Sequence, residues 1–282
     1  MIFISGATGN IGRHVVRELQ ERDIAIRAGT INHEEAERIP DGVETVRFDF
    51  TDQDTFSPAL EKVKKLFLMR PPQLVDMEST LNPFVDYALE QDIKHIVFVS
   101  LLGAEDNPRV PHYDAEQHIL ASGASYTFLR PSFFMQNLNT THREEIRDRD
   151  EIFIPAGGSR TSFIDTRDIG AAAARVLSED GHLNQTYDLT GSEALDYYQV
   201  AEIFTRVLGR EISYENPSLL SFAWHSWRRR RSLQFTFVMA MLYRATRDGA
   251  ADIVTDDVEQ LLRRPPIVFE QYVQDYAHVW ER

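Results

Sequence analysis

The chain has 282 residues, 43% of them hydrophobic, no cysteine and a formal net charge of −14 at pH 7. That is enough apolar material for a packed core, while the missing cysteine excludes disulfides, thiolate catalysis and thiolate metal sites. The acidic balance, with no basic stripe to offset it, argues against a nucleic-acid ligand, and the nine histidines show no paired spacing that suits zinc.

In chain order, "MIFIS" is a short apolar run ending at Gly6, the pattern of a strand buried on both faces. Ile11, Val15, Val16 and Leu19 recur at helical spacing, and "IAIRAGT" reads as a second strand, which makes one β-α-β unit. The alternation continues through "ETVRFDF", a polar helix near 52–63, "KKLFLMRPP", a helix near 78–91, "HIVFVS", a helix near 113–122 and "SYTFLRP". This predicts an α/β fold with a doubly wound parallel sheet, a Rossmann domain over residues 1–150.

Past Pro131 the rhythm changes. "IFIPAGG", "RTSFIDTRDIG" and "TYDLTGSEAL" read as strand segments between helices, one of which carries Val200, Ile203, Phe204 and Val207 and closes at Gly209. A smaller α/β substrate domain is expected over 151–282, with segments such as 160–191 returning to the Rossmann domain. Residues 217–248 read as helical, and Phe222, Trp224, Trp227, Phe235, Phe237 and Tyr243 are expected to be aromatic core rather than the lining of a flat pocket. The run "WRRRRSL" reads as a solvated segment paired with local carboxylates. The longest apolar run, "FTFVMAML" at 235–242, is short of the roughly 18 to 20 residues that span a bilayer. The N-terminus lacks the basic region of a signal peptide, so the cytoplasm is the expected compartment and no membrane partner is expected.

"GATGNIG" places Gly6, Gly9 and Gly12 between a buried strand and an amphipathic helix, the context in which a glycine turn cradles a pyrophosphate. Gly6 permits the tight strand exit, Gly9 the close backbone approach and Gly12 the tight helix packing, with Thr8, Asn10 and Ile11 completing the cradle. Amides and the positive end of the helix dipole face the anion. After the second strand a carboxylate normally holds the ribose of NAD, but here Gly29, Thr30, Ile31 and Asn32 follow one another and that acidic marker is missing. Arg13 and Arg27 are candidates for a 2′-phosphate, so NADP(H) is favoured over NAD(H). Thr30 and Asn32 are candidate cofactor contacts. Asp49 is a candidate partner of the adenine amino group, with Phe48 or Phe50 over the ring, or else a cap for the turn after Thr51.

The second informative stretch is "HYDAEQHILASGASYTFLRPSFFMQN". A Tyr-x-x-x-Lys pair would let a lysine lower the tyrosine pKa for proton exchange with a carbonyl. Here Tyr113 is followed four residues later by Gln117, and no lysine occurs after Lys94. His112 and Tyr113 are the candidate catalytic groups. His112 is a candidate proton donor near neutral pH and Glu116 a partner on the same helical face, bonding the nicotinamide half or orienting His112. Reducing a plain ketone builds an alkoxide that needs such an acid, whereas quinones, iminium ions and azo or cationic dyes take hydride into a delocalised or neutralised system. The missing lysine therefore points to activated, flat acceptors.

"GATGNIG", "LFLMRPP", "HIVFVSLLGAE", "HYDAEQHILASGASYTFLRPSFFMQN", "FIDTRDIGAAAARVL" and "YDLTGSEAL" together resemble the NmrA-like group of atypical short-chain dehydrogenase/reductases, along nearly the whole chain. The resemblance implies NAD(P) binding with the nicotinamide end near Arg70, Pro71, Ser100 and the 131–137 turn, and a substrate pocket that includes Phe133, Phe134, Met135 and Asn137. It also implies that His112-x-x-x-Glu116 is a family feature. Relatives that prefer NADP often carry an arginine where this chain has Ile31. The expected function is NAD(P)H-dependent hydride transfer to a small aromatic or conjugated acceptor. The alternative is a non-catalytic NAD(P)-binding redox sensor with a protein partner, and an oligomer is compatible with either.

Overall fold

The computed structural model describes residues 1–230 and 232–282, with the side chains of Gln234 and Phe235 left aside. Nine strands are described: β1 (Ile2–Ile4), β2 (Ile26–Thr30), β3 (Glu44–Arg47), β4 (Lys65–Leu68), β5 (His95–Val99), β6 (Tyr126–Pro131), β7 (Glu151–Ile152), β8 (Gln185–Leu189) and β9 (Ser213–Tyr214). The helices are α1 (Gly12–Gln20), α2 (His33–Ala36), α3 (Phe56–Leu60), α4 (Leu81–Glu90), α5 (Pro111–Ala121), α6 (Arg143–Arg149), α7 (Thr166–Ser178), α8 (Tyr197–Leu208), α9 (Leu219–Arg228), α10 (Leu233–Arg247), α11 (Asp257–Leu262) and α12 (Phe269–Asp275).

The chain forms two compact units. The first comprises residues 1–131, 166–189 and 257–264, and the second 132–165, 190–256 and 265–282. The first crossing therefore comes at Pro131, not at residue 150, because the end of β6 is the last point at which that stretch of chain still pairs in the large sheet.

In the first unit seven parallel strands run in the order β3-β2-β1-β4-β5-β6-β8. Strands β1, β2 and β5 are buried along their whole length, as a sheet covered on both faces requires. The order reverses between β1 and β4, which places the topological switch point directly beyond the glycine turn, where open α/β sheets bind ligands. On one side of the sheet Phe3, Phe48, Phe50, Phe56 and Phe84 pack as tilted and edge-to-face pairs with centroids 4.7–6.0 Å apart. Each such pair contributes about 0.5–1.5 kcal/mol beyond its area burial. On another, α7 lies against α1 so closely that a Cβ on Gly170 would stand 2.4 Å from the Cβ of His14.

The second unit joins β7 and β9 in a two-stranded parallel pair and buries Phe163, Tyr197, Phe204, Tyr243, Tyr272 and Trp280 among its helices. Asp196 and Gln199 form a capping box at the start of α8, and Gly209 closes that helix at φ +66°. The strand expected over "IFIPAGG" stops at Ile152. Beyond it the Tyr214 hydroxyl donates to the carbonyls of Ile154 and Gly157, so those backbone groups are satisfied without a ladder. "RTSFIDTRDIG" makes only the isolated bridges Thr161–Leu195 and Phe134–Ile164 before α7 begins at Thr166.

The aromatic expectation divides. Phe222 and Tyr243 are buried, but Trp224, Trp227 and Phe237 are 59–66% exposed, which corrects their assignment to the core. Of the arginine run, Arg228 ends α9, Arg229 reaches Glu144 and Glu145, and Arg230 lies in the turn that follows, at φ +55°. Arg231, the last arginine of that run, and the side chain of Phe235 lie outside the described residues. Among the described residues no helix is long and apolar enough to cross a membrane, and no cluster of metal-ligating side chains occurs.

Candidate cofactor and active site

The glycine turn leaves β1 at Gly6 with φ +63°, a conformation that disfavours any residue with a Cβ. A Cβ on Gly12 would sit 2.1 Å from the Gly6 carbonyl oxygen, so the start of α1 can close on the turn only because residue 12 is glycine. The contact that Gly12 permits is with the turn itself. Gly9 is held in the same knot, its amide donating to the Gly6 carbonyl at 3.0 Å, and Thr8 and Asn10 are half-buried around it. Ile11 is buried and precedes a helix with no acidic residue in its first turn, so nothing there competes with an anionic ligand.

The end of β4 abuts this turn. Ser5 Oγ accepts from the Met69 amide at 2.8 Å and donates to its carbonyl at 3.1 Å, and the Met69 methyl lies only 2.8 Å from where a Gly6 Cβ would fall. One residue on, Arg70 Nη1 donates to the carbonyls of Pro71, Pro72 and Leu74 at 3.0–3.3 Å, which pins the guanidinium to its own loop. Its Nε is buried without a partner in the protein, and burial holds the group below its usual pKa. Strand β5 lies beside β4, and the residue after it, Ser100, is buried with its Oγ equally unpartnered. His112, in the first turn of α5, packs its ring 6.3 Å from that of Phe98, and its Nδ1 is a third unpartnered buried atom. Buried polar atoms ordinarily find partners, and these three lie on neighbouring elements: the ends of β4 and β5 and the start of α5.

His112 is not charged at neutral pH, contrary to the expectation for a proton donor. Burial, with a smaller contribution from the nearby Arg70 cation, lowers its pKa to about 3, so the ring is neutral. Glu116 is also reassigned. It is 1% exposed and accepts from Arg130 Nε at 2.9 Å and Nη2 at 2.6 Å, while Arg130 Nη1 meets Glu105 at 2.7 Å. Both of its oxygens are committed to a buried ion pair, so it neither orients His112 nor faces a ligand. Tyr113 is half-buried, and Gln117 beyond it is exposed.

At the adenosine end, Arg27 is withdrawn from the list of phosphate contacts. Its guanidinium is buried and bound to Glu44 and to the carbonyls of Pro58, Ala59 and Glu61. Arg13 is exposed at the start of α1, with Nε 3.4 Å from His14 Nε2. Thr30 is buried with its hydroxyl on the Val46 carbonyl, and Asn32 caps α2 by accepting from the Glu35 amide at 2.9 Å. Phe50 belongs to the phenylalanine cluster beneath the sheet and does not cover an adenine. Asp49 is half-exposed and accepts from the Thr51 amide and hydroxyl at 2.8 and 2.7 Å. The strand-end carboxylate that the sequence lacked is supplied from the next helix: Glu35 folds back and accepts from the Ile31 amide at 3.0 Å. Glu35 stands three residues past the N-cap Asn32, but its bond goes to the amide before the cap, so the spacing alone does not announce it.

The residues expected around the acceptor belong to the second unit. Phe133 packs its ring between those of Phe163 and Tyr243, at 6.2 and 5.9 Å. Met135 is fully buried, its amide donating to the Ile164 carbonyl at 2.9 Å, and it lines a crevice of only about 10 Å³ with Phe163, Leu195 and Phe269. Phe134 and Asn137 are half-buried, and the Asn137 amide donates to the Phe134 carbonyl.

The NmrA-like family profile matches residues 1–222. The chain belongs to the NmrA-like family. Among relatives of this NmrA-like protein, an NAD(P)H azoreductase of Xenophilus azovorans is 35% identical over 76% of this chain and 76% of its own. An agroclavine dehydrogenase of Claviceps fusiformis is 30% identical over 99% of this chain and 98% of its own. Among solved structures, the NADPH-dependent quinone oxidoreductase QOR2 of Escherichia coli, complexed with NADPH, superposes with a TM-score of 0.89 at 26% identity, covering 98% of this chain and all of the other.

Proposed function

We propose that this NmrA-like chain is an oxidoreductase that takes hydride from NADPH to a flat, electron-poor acceptor such as a quinone, an azo or cationic dye, or an iminium ion. The observation that carries the reading is the trio Arg70 Nε, Ser100 Oγ and His112 Nδ1, buried and unspent beside the glycine turn at the switch point of the sheet. Those atoms, with the turn, fit a nicotinamide dinucleotide. Gly6, Gly9 and Gly12 take the pyrophosphate, Arg13 flanks it, and Arg70 and Ser100 hold the nicotinamide half. NADP(H), when bound, supplies the hydride.

The chain's own contribution is binding and orientation. His112, held neutral, keeps the pocket free of an extra charge and offers one hydrogen bond, and no residue four beyond Tyr113 can lower the phenol's pKa. A ketone would leave its developing alkoxide unsupported in such a site, whereas a quinone or iminium needs mainly alignment with the donor. The azoreductase, the agroclavine dehydrogenase and the quinone oxidoreductase named above support this acceptor class.

The test is direct. Purified protein is mixed with NADPH and, separately, quinones, azo dyes, triphenylmethane dyes and cyclic iminium compounds, and cofactor oxidation is followed by absorbance. Oxidation above background with at least one class is expected, and none with aliphatic ketones. Tight cofactor binding without any oxidation across the panel would favour a non-catalytic sensor instead.

A further inference from the structure

Residues 217–247 contain six arginines and no aspartate or glutamate, in a chain that carries 44 acidic residues. The remaining residues hold 24 basic against 44 acidic side chains, so this segment is a local cation of about +6 on a body of net charge −20. The helices built from it each have two apolar faces. Phe222 and Ser226 of α9, and Thr236, Met239, Tyr243 and Thr246 of α10, are buried in the second unit. On the outer side, Leu220, Trp224 and Trp227 follow one another at helical spacing on α9, and Leu233, Phe237, Val238 and Met241 do so on α10. Leu220 and Leu233 are 84% and 80% exposed, and the two tryptophan rings lie tilted against each other with centroids 4.9 Å apart. At the turn between the helices, Trp227, Arg228, Arg230 and Leu233 line a surface hollow of about 560 Å³. Arg228 and Arg230 are exposed, whereas Arg229 is bound to Glu144 and Glu145.

A solvent-facing stripe of this size marks an interaction site. We propose that the α9–α10 hairpin is a peripheral docking surface for an anionic lipid bilayer, with the tryptophan, phenylalanine and leucine side chains seated at the acyl boundary and Arg228 and Arg230 on lipid phosphates. Lining one hollow with guanidinium groups, an indole and a leucine suits an amphiphile whose charge adjoins its hydrocarbon. A second copy suits it less. An isologous contact would set Arg228 and Arg230 of one copy against those of the other, between bodies that already repel. The sequence-level expectation of no membrane partner concerned spanning length, and surface docking needs no span.

The experiment is co-sedimentation of the full chain, at low salt, with vesicles of phosphatidylglycerol and phosphatidylcholine and, in parallel, of phosphatidylcholine alone. The only tryptophans are Trp224, Trp227 and Trp280, and Trp280 is fully buried, so a blue shift of emission reports the hairpin. Binding and a blue shift with the anionic vesicles alone are expected. Arg228→Gln with Arg230→Gln should weaken binding about 25-fold, fivefold for each guanidinium lost. Phe237→Ser with Leu233→Ser should abolish the partition while leaving the far-UV spectrum unchanged. Failure to sediment with anionic vesicles overturns the proposal, and so does equal binding to both kinds. A dimer in sedimentation velocity that Phe237→Ser dissolves would reassign the face to self-association.

Discussion

A single methyl group at residue 12 has nowhere to go. Gly12→Ala would drive a Cβ into the backbone of Gly6, which cannot rotate aside as a side chain would, so a loss of about 3 kcal/mol or more is expected, together with loss of dinucleotide binding. The urea midpoint and a cofactor titration check both halves. Glu35 offers a subtler test. Its carboxylate sits at the end of β2, where a 2′-phosphate would meet like charge. Glu35→Gln keeps an acceptor for the Ile31 amide but removes the charge, and should raise the kcat/KM ratio of NADPH over NADH about fivefold, the worth of roughly 1 kcal/mol of surface repulsion. An unchanged ratio would place the adenosine ribose elsewhere. Both residues are instructive about what a sequence reveals. Gly12 was legible because a turn between strand and helix constrains backbone directly. Glu35 was not, because its role depends on a helix turn that brings position 35 back to position 31.

Between elements, Arg130 on β6 ties α5 to the segment at Glu105, with Glu116 sealed beneath it. Arg130→Gln would leave the buried Glu116 carboxylate uncompensated, at an expected cost of about 3–5 kcal/mol. The double change Arg130→Gln with Glu116→Gln should recover most of it, and a urea double-mutant cycle measures the difference. The pair also explains a limit of sequence reading. His112 and Glu116 share the spacing of a helical face, but periodicity does not say which neighbouring strand supplies a partner, and Arg130 lies 14 residues further on. The strands of the parallel sheet were readable because burial on both faces writes a continuous apolar run. The helices α9 and α10 are legible too, but not which of their aromatic residues face outward, because an outer apolar stripe and an inner one look alike until a body is present to cover one of them.

For the molecule as a whole, two histidines with lowered pKa set an acid limit. His112 and His95, the latter bonded to Thr127 Oγ1 at 2.8 Å, are neutral in the fold down to about pH 3 and about pH 4, chiefly through burial. Both are protonated in the unfolded chain below about pH 6.5, so the unfolded state binds more protons in that window and stability falls as pH drops from 6.5. The slope is about 1.4 kcal/mol per pH unit for each histidine. Denaturation at pH 6 and pH 5 should show His112→Gln losing less stability over that step than the parent chain, and an equal loss would mean the ring is already charged at pH 6. The two units also share one strand of chain in alternation. Strand β8 and helix α7 return to the sheet after an excursion through the second unit, and α11 comes later still, with Asp257 accepting from the Asp188 amide and Arg264 bound to Asp168. A ribosome that has released only the first 150 residues has therefore made six strands of a seven-stranded sheet, with β6 an open edge ready to pair with any extended neighbour. Completion waits for α11, in about the final tenth of the chain, to emerge, which makes translation of this protein a period of exposure to misassembly rather than a domain-by-domain sequence of finished parts.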